Sequence, residues 1–445
     1  MSIFRAETPT VKQALPGAAE TTPCHWRVKQ FLEKLDKPPS NKVLDLNNCA
    51  LNAADIKQLI AILPLLPDLE EIDLSWNDLI RGALQPLTLQ FSHTQKLTVL
   101  RLNNCRLTAK DITSLGVALE VTPYLEILDL SWNNNIGGNL SSLTQKIPKG
   151  YHLKTLKVTD CSLTMEDGKS LAQLLNRIQS LEELDLSINK NIGRSLKSIA
   201  QELKYVSGLK VLNLHMCGLK QDGFQCLDDA FQYLRELKKL DVSCNKEMGG
   251  GFRNSDAHLA NLRDLEVLDL HQCCITEEDM AILTEAALHL PELKILDLSW
   301  NKCVGGNLKL ILKALNLEAE LQELRLSSCS LVDKDLACLA LVIQDGPLTK
   351  LQKLDLSYNH HISDQGWAMF YQRVGALEQL SELDVSLRPM LLRDCREWFG
   401  ELLAALSKLP GLLELDLQGW VLSTSQQKQL ESFNWDNERN VHINS

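Results

Sequence analysis

One short motif returns along this chain at an almost constant interval. The motif reads Leu-x-Leu-x-x-(Cys or Asn), and its second apolar residue falls at Leu46, at Leu74 and then with the same spacing of 28 as far as Leu326. Three further copies follow with spacings of 30, 29 and 32, which gives fourteen copies between residues 41 and 422. Each copy must form the same small unit and bury its apolar face against its neighbours, so the register predicts one continuous array without internal domain boundaries.

The residue that closes the motif alternates between cysteine and asparagine over the first twelve copies, which adds a second period of twice the length. Asparagine offers a carbonyl oxygen and an NH₂ group to backbone groups left unpaired where a strand ends, and a thiol fits the same narrow position with weaker bonds. We interpret these residues as a structural ladder. The ladder residues are Cys49, Asn77, Cys105, Asn133, Cys161, Asn189, Cys217, Asn245, Cys273, Asn301, Cys329 and Asn359.

Each copy predicts a short strand, a turn and then a helix. Thr108 and Asp111 place a hydroxyl cap three residues before an acid, which is typical of a helix start, and the same spacing recurs at Thr164 and Thr276. Strands lie ~4.8 Å apart in a sheet whereas packed helices need ~8–10 Å, so the array must curve. The predicted fold class is an α/β solenoid, a horseshoe with a parallel concave sheet and helices on the convex side.

A repeat length of 28 or 29, with closures that alternate between cysteine and asparagine, resembles the ribonuclease-inhibitor class of leucine-rich repeats over about residues 41–422. The resemblance implies a leucine-rich-repeat horseshoe, and it implies inhibition of a basic secreted-type ribonuclease as one function. Outside the array, residues 1–24 lack periodicity and predict a disordered tail. Residues 25–40 predict an amphipathic capping helix and linker, and residues 423–445 predict a C-terminal cap and tail.

Composition narrows the kinds of partner. The chain has 46 basic and 57 acidic residues, for a net charge of −11, which is unfavourable for binding nucleic acid. No apolar stretch approaches the ~20 residues of a membrane-spanning helix. Residues 1–5 carry no signal-peptide pattern and the thirteen cysteines show no disulfide-framework spacing, so we expect reduced thiols and a cytoplasmic location. The predicted partner is a basic protein, with no role for nucleic acid or membrane.

The sequence contains few motifs that are typical of catalytic or metal-binding sites. His215-x-Cys217 and His271-x-Cys273 recur in two units, but strand alternation sends the histidine to solvent and the ladder cysteine inward, which precludes a shared metal site. Ser243 and His271 lie on adjacent predicted strands without an oxyanion hole or an orienting pocket. The chain contains no phosphate-binding loop and no Gly-x-Ser-x-Gly motif. We therefore predict no catalytic residues, no cofactor and no metal.

The residue between the two leucines of each motif is predicted to face the concave side, and it is aspartate in ten of the fourteen copies. With the flanking exposed positions the face carries 15 acids and 5 bases, or −10 of the chain's −11. In the C-terminal half, two stretches of this column contain no basic residue. The predicted protein-binding residues are Asp241, Asp269, Asp297, Asp355, Asp384 and Asp416, with Trp300 and Tyr358 on the adjoining rim.

Each of these surface features has two interpretations. Leu-Asp-Leu-Ser is a common form of this repeat, so the aspartate can be a solvated strand residue that keeps the sheet soluble. The apolar residue before each ladder asparagine can pack against the following turn. Like charges ~5 Å apart on adjacent strands are destabilising, however, and their retention favours a basic partner.

The predicted function is a non-enzymatic protein-binding scaffold or regulator, monomeric by itself. The alternatives are a ribonuclease-inhibitor-type inhibitor and a NOD-like-receptor-type sensing array that lacks its nucleotide module.

Overall fold

The computed structural model describes residues 42–252, 258–314, 320–436 and 441–444. The predicted tail at 1–24 and the predicted capping helix and linker at 25–40 lie outside the described residues. Within these ranges, no helix is both long and apolar enough to cross a membrane.

In the described part of the chain, fifteen strands form one parallel sheet, and their order in the sheet is their order in the chain. Neighbouring strands pair in register, so Leu44 lies beside Ile72 and Asp45 lies beside Asp73. In most strands the middle residue is buried and its two neighbours are partly exposed, as in Glu71–Asp73. The strands are Val43–Asp45, Glu71–Asp73, Val99–Arg101, Ile127–Asp129, Thr155–Lys157, Glu183–Asp185, Val211–Asn213, Lys239–Asp241, Val267–Asp269, Ile295–Asp297, Glu323–Arg325, Lys353–Asp355, Glu382–Asp384, Glu414–Asp416 and His442–Asn444.

The predicted count of fourteen strands is one short. Strand His442–Asn444 pairs with Glu414–Asp416 and extends the sheet beyond residue 422. The motif search misses this strand because Ile443 and Asn444 are not followed by a second leucine and a ladder residue. A separate two-stranded sheet, Arg393–Asp394 with Trp420–Val421, forms near the C-terminal end of the array.

Helices connect the strands, and in eleven of the twelve ladder repeats their lengths follow the ladder type. Cysteine-type repeats have helices of 10 to 13 residues, such as Ala53–Ile62 and Asp333–Asp345. The asparagine-type repeats from Asn77 to Asn301 begin with a 3₁₀ turn or a glycine-containing turn and have shorter helices, such as Ser141–Thr144 with 4 residues. The repeat of Asn359 is the exception, with the 11-residue helix Asp364–Val374. The α-helices are Ala53–Ile62, Leu84–Thr88, Ala109–Leu119, Ser141–Thr144, Met165–Leu175, Leu196–Glu202, Gln221–Phe231, Glu277–Ala287, Leu308–Ala314, Asp333–Asp345, Asp364–Val374, Phe399–Leu406 and Thr424–Asp436. The 3₁₀ helices are Leu63–Leu65, Asp78–Ile80, Leu89–His93, Asn134–Ile136, Ile192–Ser195, Leu203–Tyr205, His258–Asn261 and Lys302–Val304.

The predicted helix starts are confirmed. Thr108 accepts a hydrogen bond from the N–H of Asp111 at 3.3 Å, and the Asp111 carboxylate accepts from the N–H of Thr108 at 2.8 Å. The same carboxylate also accepts from the N–H groups of Gly82 at 2.8 Å and Leu84 at 3.1 Å, in the preceding repeat. Thr108 and Asp111 thus form a capping box, and the aspartate of this box also joins its own helix to the repeat before it. Equivalent boxes form at Thr164–Asp167 and Thr276–Asp279.

The asparagine of the ladder bridges two repeats. Asn133 is buried, and its carbonyl oxygen accepts from the N–H groups of Cys105 and Leu107, both at 3.1 Å. Its NH₂ group donates to the carbonyl oxygens of Leu102 and Leu130, both at 2.8 Å. One side chain therefore completes its own turn and the turn of the cysteine-type repeat before it. The same set of bonds is made by Asn77, Asn189, Asn245, Asn301 and Asn359.

The cysteine of the ladder makes a weaker link. The Cys161 thiol donates to the carbonyl oxygen of Leu130 in the preceding repeat at 3.3 Å, and Cys105 donates to Leu74 at 3.2 Å. Burial raises the pKa of both thiols to about 12, so they remain protonated donors at neutral pH. No disulfide joins the cysteines within the described ranges.

Replacement of Asn133 by alanine should destabilise the array by about 1–3 kcal/mol, because two buried N–H groups lose their acceptor. The exposed neighbour Asn134 provides the control, and Asn134→Ala should change the free energy of unfolding by less than ~0.5 kcal/mol. Urea denaturation followed by circular dichroism measures both. Equal losses for the two variants would contradict the bridging role of Asn133.

Candidate functional site

The third residue of each strand forms a column across the concave face. Asp269 lies beside Asp241 on one side and Asp297 on the other. We call these three residues acidic run 1. Farther along the sheet, Asp355, Asp384 and Asp416 occupy three successive strands in the same way, and we call them acidic run 2. The six predicted acids are therefore brought together in two groups.

A basic residue separates the two runs. Arg325 stands in the column beside Asp297 and beside Asp355. Its guanidinium lies 2.7 Å from the Glu323 carboxylate and 3.4 Å from that of Asp297. Asp297 itself is only 5% exposed. The charge of acidic run 1 is therefore partly balanced at one end.

Three other bases near the column pair with glutamates that flank it. Lys353 lies 2.6 Å from Glu382 beside acidic run 2. In the N-terminal half, Lys157 lies 2.8 Å from Glu183, and Arg101 contacts Glu71. Among the residues that the structure describes, no base forms a salt bridge with the central aspartate of either acidic run.

The aspartates also have a local structural role. The Asp241 carboxylate accepts a hydrogen bond from the N–H of Ser243 at 3.1 Å, and the Asp384 carboxylate accepts from Ser386 at 2.8 Å. This bond to the residue two positions on closes a turn at the strand end. Asn213 makes the same bond to the N–H of His215 at 3.0 Å. The turn therefore requires a side-chain oxygen but does not require a negative charge.

Burial weakens the acidity of three aspartates in the runs. It raises the pKa of Asp269 to about 7, with further contributions from the neighbouring Asp241 and Asp297 carboxylates. Burial also raises the pKa of Asp384 to about 6, against the opposing effect of hydrogen bonds from Ser386. The pKa of Asp355 is raised by the same cause. Near neutral pH the concave face therefore carries less negative charge than the number of its carboxylates suggests.

The aromatic residues lie on the rim, immediately after the strand ends. Trp76, Trp132 and Trp300 are 53%, 46% and 44% exposed and have φ angles of 61°, 64° and 62°. Tyr358, with a φ of 60°, is partly buried. All twelve residues that precede a ladder residue share this left-handed conformation. They are Asn48, Trp76, Asn104, Trp132, Asp160, Ile188, Met216, Cys244, Gln272, Trp300, Ser328 and Tyr358.

The left-handed region disfavours residues with a bulky side chain by roughly 1–2 kcal/mol. Asparagine, which occupies the position at Asn48 and Asn104, tolerates it better. A half-exposed tryptophan thus occupies a strained position without gaining full burial. The ring centroid of Trp300 lies 6.3 Å from that of His271, which stands two residues beyond Asp269. These observations favour surface contact over packing as the role of the rim tryptophans.

The serine and histidine that meet on the concave face are Ser243 and His215. The His215 Nδ1 atom lies 2.7 Å from the Ser243 hydroxyl, which donates to the Asp241 carboxylate at 2.6 Å. Ser243 is 3% exposed, so its hydroxyl is inaccessible to a substrate and its proton is already held by a carboxylate. Within the described ranges, no group of three His, Cys, Asp or Glu side chains could hold a metal ion.

Sequence reasoning missed two contacts at the C-terminal end of the column. Trp420 occupies the ladder position of the fourteenth repeat, and its indole N–H donates to the carbonyl oxygen of Val385 at 2.8 Å. It thereby reaches the same position of the preceding repeat that a ladder asparagine would reach. Asn444, on the fifteenth strand, donates to Asp416 at 2.6 Å and so borders acidic run 2.

Replacement of Trp300 by glycine tests the role of the rim. Glycine adopts the left-handed backbone conformation without strain, which stabilises the folded state. It also increases the conformational entropy of the unfolded chain, which destabilises the folded state, so the two effects on stability oppose each other. We expect the free energy of unfolding to stay within ~1 kcal/mol of wild type in urea denaturation. A core tryptophan would instead lose roughly 3–5 kcal/mol on truncation, and such a loss would assign Trp300 a packing role.

Replacement of Asp269 by asparagine tests the buried charge. Because the pKa of Asp269 is about 7 in the fold and near 3.8 in an unfolded chain, the folded state holds the proton more tightly over this range. Ionisation of Asp269 therefore lowers stability as pH rises from about 4 to 7. The asparagine variant keeps the oxygen that the turn needs, as Asn213 does.

We therefore expect Asp269→Asn to stabilise the fold more at pH 8 than at pH 4.5, measured as the difference in thermal midpoint from wild type. Parallel pH profiles for the two proteins would contradict this prediction.

Comparison with known proteins identifies the repeat. A family model described as "Leucine Rich repeat" matches residues 122–139 and 348–369. Among solved structures, an internalin from Listeria monocytogenes aligns over 94% of each chain, with 18% identity and a TM-score of 0.49.

Two kinds of curated relative are similar over most of the chain. The NACHT, LRR and PYD domains-containing protein 14 of Mus musculus is 31% identical over 68% of this chain, which spans 31% of that protein. The ribonuclease inhibitor of Sus scrofa is 30% identical over 362 residues, which are 79% of this chain and 77% of the inhibitor. With its alternating ladder and fifteen-stranded parallel sheet, the chain belongs to the ribonuclease-inhibitor family of leucine-rich repeat proteins.

Proposed function

We propose that this protein is a non-enzymatic binding scaffold whose concave face binds a basic protein over acidic runs 1 and 2. The observation that carries the proposal is the comparison between Asn213 and the aspartates of the runs. Asn213 closes its turn without a charge, so the fold alone does not account for six carboxylates. Because adjacent like charges destabilise a sheet, their presence supports a role outside the fold.

The electrostatics of the face suit a cationic partner. Carboxylates gathered on the inner surface of a curved sheet act together and steer a basic protein towards it. A lysine or arginine placed beside Asp269 or Asp384 would favour the ionised carboxylate and lower its raised pKa. Binding would then release protons and strengthen as pH rises through 6 to 7.

The rim provides the apolar part of the contact. Trp300 is half-exposed near acidic run 1, and Tyr358 lies on the rim beside acidic run 2. Aromatic side chains next to a charged surface are frequent binding hot spots. In this proposal the acids determine how fast the partner arrives, and the aromatics determine how long it stays.

Inhibition of a ribonuclease is a second candidate function. It is favoured by 30% identity to the Sus scrofa ribonuclease inhibitor over 79% of this chain. Titration of a ribonuclease with the purified chain, followed by RNA cleavage, tests it directly. Stoichiometric loss of cleavage would identify the partner as a ribonuclease.

A matched pair of charge variants tests the main proposal. The first variant changes Asp241, Asp269, Asp355 and Asp384 to asparagine. The control changes Asp45, Asp73, Asp129 and Asp185 to asparagine and removes the same number of carboxylates from the half in which Arg101 and Lys157 intervene. Partners captured from cytosol by the wild-type chain and eluted with salt are purified for surface plasmon resonance.

We expect the first variant to slow association at least tenfold at low salt and to reduce the salt dependence of the rate, because screening acts on the removed charges. The association rate of the control variant should remain within about threefold of the wild-type rate. Trp300→Ala should mainly speed dissociation.

Loss of binding only in the control would indicate that the partner binds the N-terminal half of the concave face. Unchanged binding in both variants would mean that the acidic face is only a solvated surface.

A further inference from the structure

A pocket with a volume of about 360 Å³ opens on the rim of the array, outside the acidic runs. Met216 and Cys244 line it, and they occupy the position before the ladder residue that holds a tryptophan in three other repeats. The volume lies at the lower end of the ~300–1,000 Å³ that is typical of ligand pockets. We call this feature the rim pocket.

One wall of the rim pocket is apolar. Met216 and Cys244 are partly exposed and have left-handed backbones, with φ angles of 53° and 59°. Leu219, which also lines the pocket, is fully buried. Both rim side chains are smaller than the indoles of Trp132 and Trp300, so this stretch of the rim leaves room that a tryptophan would fill.

Two lysines border the rim pocket. Lys190 and Lys246 each follow a ladder asparagine, and Gly218 holds the same position in the repeat between them. Strands lie ~4.8 Å apart, so the backbones of the two lysines are ~10 Å apart at this level of the array. Both lysines are exposed, and the glycine between them has no side chain. The two positive charges therefore flank an open interval.

Within the described part of the chain, neither Lys190 nor Lys246 forms a salt bridge. Arg106 stands at the equivalent position of the third repeat, and its guanidinium pairs with Asp78 of the preceding repeat at 3.3 Å. No such acid stands beside the two lysines, because their neighbours at this position are uncharged. These neighbours are Ser162, Gly218 and Cys274.

The acid in the lining of the rim pocket is already paired. Glu247 lies 2.8 Å from Lys220, and the backbones of these two residues form an isolated β-bridge. The charges of Lys190 and Lys246 are therefore left without compensation. The rim pocket combines an apolar wall with an excess of positive charge, whereas the concave column nearby is acidic.

We propose that the rim pocket binds an acidic peptide segment of a protein partner, with an apolar side chain against Met216 and Cys244. The carboxylate of the adjoining residue then lies between Lys190 and Lys246. The apolar wall favours a side chain over a free hydrated anion such as phosphate, and the uncompensated lysines favour an acidic segment over a neutral one. The site selects the charge opposite to that selected by the acidic runs, so it goes beyond the proposed function and does not depend on it.

Titration of the full chain with two short peptides tests the site. The probes are N-acetyl-Leu-Glu-amide and its neutral counterpart N-acetyl-Leu-Gln-amide. Binding is followed by NMR through the ¹³C-labelled methyl group of Met216, whose signal is assigned with Met216→Leu. We expect a saturable shift of this signal, with a Kd at least ~5-fold lower for the glutamate peptide, because attraction by the lysines adds to the apolar contact. Equal Kd values for the two peptides would overturn the proposal.

Two double variants separate the rim pocket from general surface charge. Lys190→Gln with Lys246→Gln should remove the preference for the glutamate peptide. The control, Lys302→Gln with Lys309→Gln, removes two exposed lysines that do not line the pocket and should retain the preference. If the first variant also retains it, the pocket lysines do not hold the carboxylate and the proposal is wrong.

A third variant fills the rim pocket. Cys244→Trp introduces the residue that the same position holds at Trp76, Trp132 and Trp300, so the fold accommodates it. We expect it to abolish the saturable shift with both peptides. Tyr358→Trp, at the same position of a distant repeat, should leave the shift unchanged. Saturable binding that survives Cys244→Trp, or no saturable shift in the wild-type chain, would show that the peptides do not bind in this pocket.

Discussion

The buried asparagine at the end of every second strand from Asn77 to Asn359 is the interaction on which the array depends. Asn133 accepts two N–H groups from the repeat before it and donates to carbonyl oxygens in both repeats. Neither turn can satisfy its backbone without the other, because each relies on the same side chain. The repeats are consequently stable as neighbours rather than as separate units, and the register of the whole sheet follows from this shared side chain.

This fixed frame leaves one strand position open to variation. The third strand residue must supply an oxygen where it closes the next turn, as Asp241 and Asn213 both do. Arg101 and Arg325 show that even this requirement is relaxed in some repeats. The protein therefore presents a rigid surface on which charge can change without a change of fold. Rigid placement of this kind reduces the entropy lost on binding.

The sequence predicted the features that repeat. The spacing of Thr108 and Asp111 was sufficient for the helix starts, because local backbone chemistry alone defines a capping box. The acids of the column were also predicted as neighbours, because register follows from the period. The strand His442–Asn444 was not predicted, since it depends on pairing with Glu414–Asp416 rather than on a motif of its own.

Properties that depend on burial and on contacts in three dimensions could not be predicted from the sequence either. The raised pKa of Asp269 arises from burial and from carboxylates that approach it across strands. The left-handed backbone at Trp300 arises from the geometry of the turn, and nothing in the local sequence of a tryptophan indicates it. Trp420 could replace a ladder asparagine only because its indole N–H reaches Val385 in three dimensions.

The two kinds of junction between repeats limit how a protein of this type can change its length. A cysteine-type repeat is joined to the next repeat by the asparagine of that repeat, as Asn133 shows. Four of the five asparagine-type repeats that precede a cysteine-type repeat are joined to it by the aspartate of a capping box, as Asp167 shows through Gly138 at 2.6 Å and Leu140 at 3.1 Å. Tandem duplication of a single repeat would bring two like repeats together and leave one junction without its side chain. Duplication of a cysteine-type repeat together with its asparagine-type neighbour would reproduce both junctions, so relatives of this chain should have gained and lost repeats in pairs.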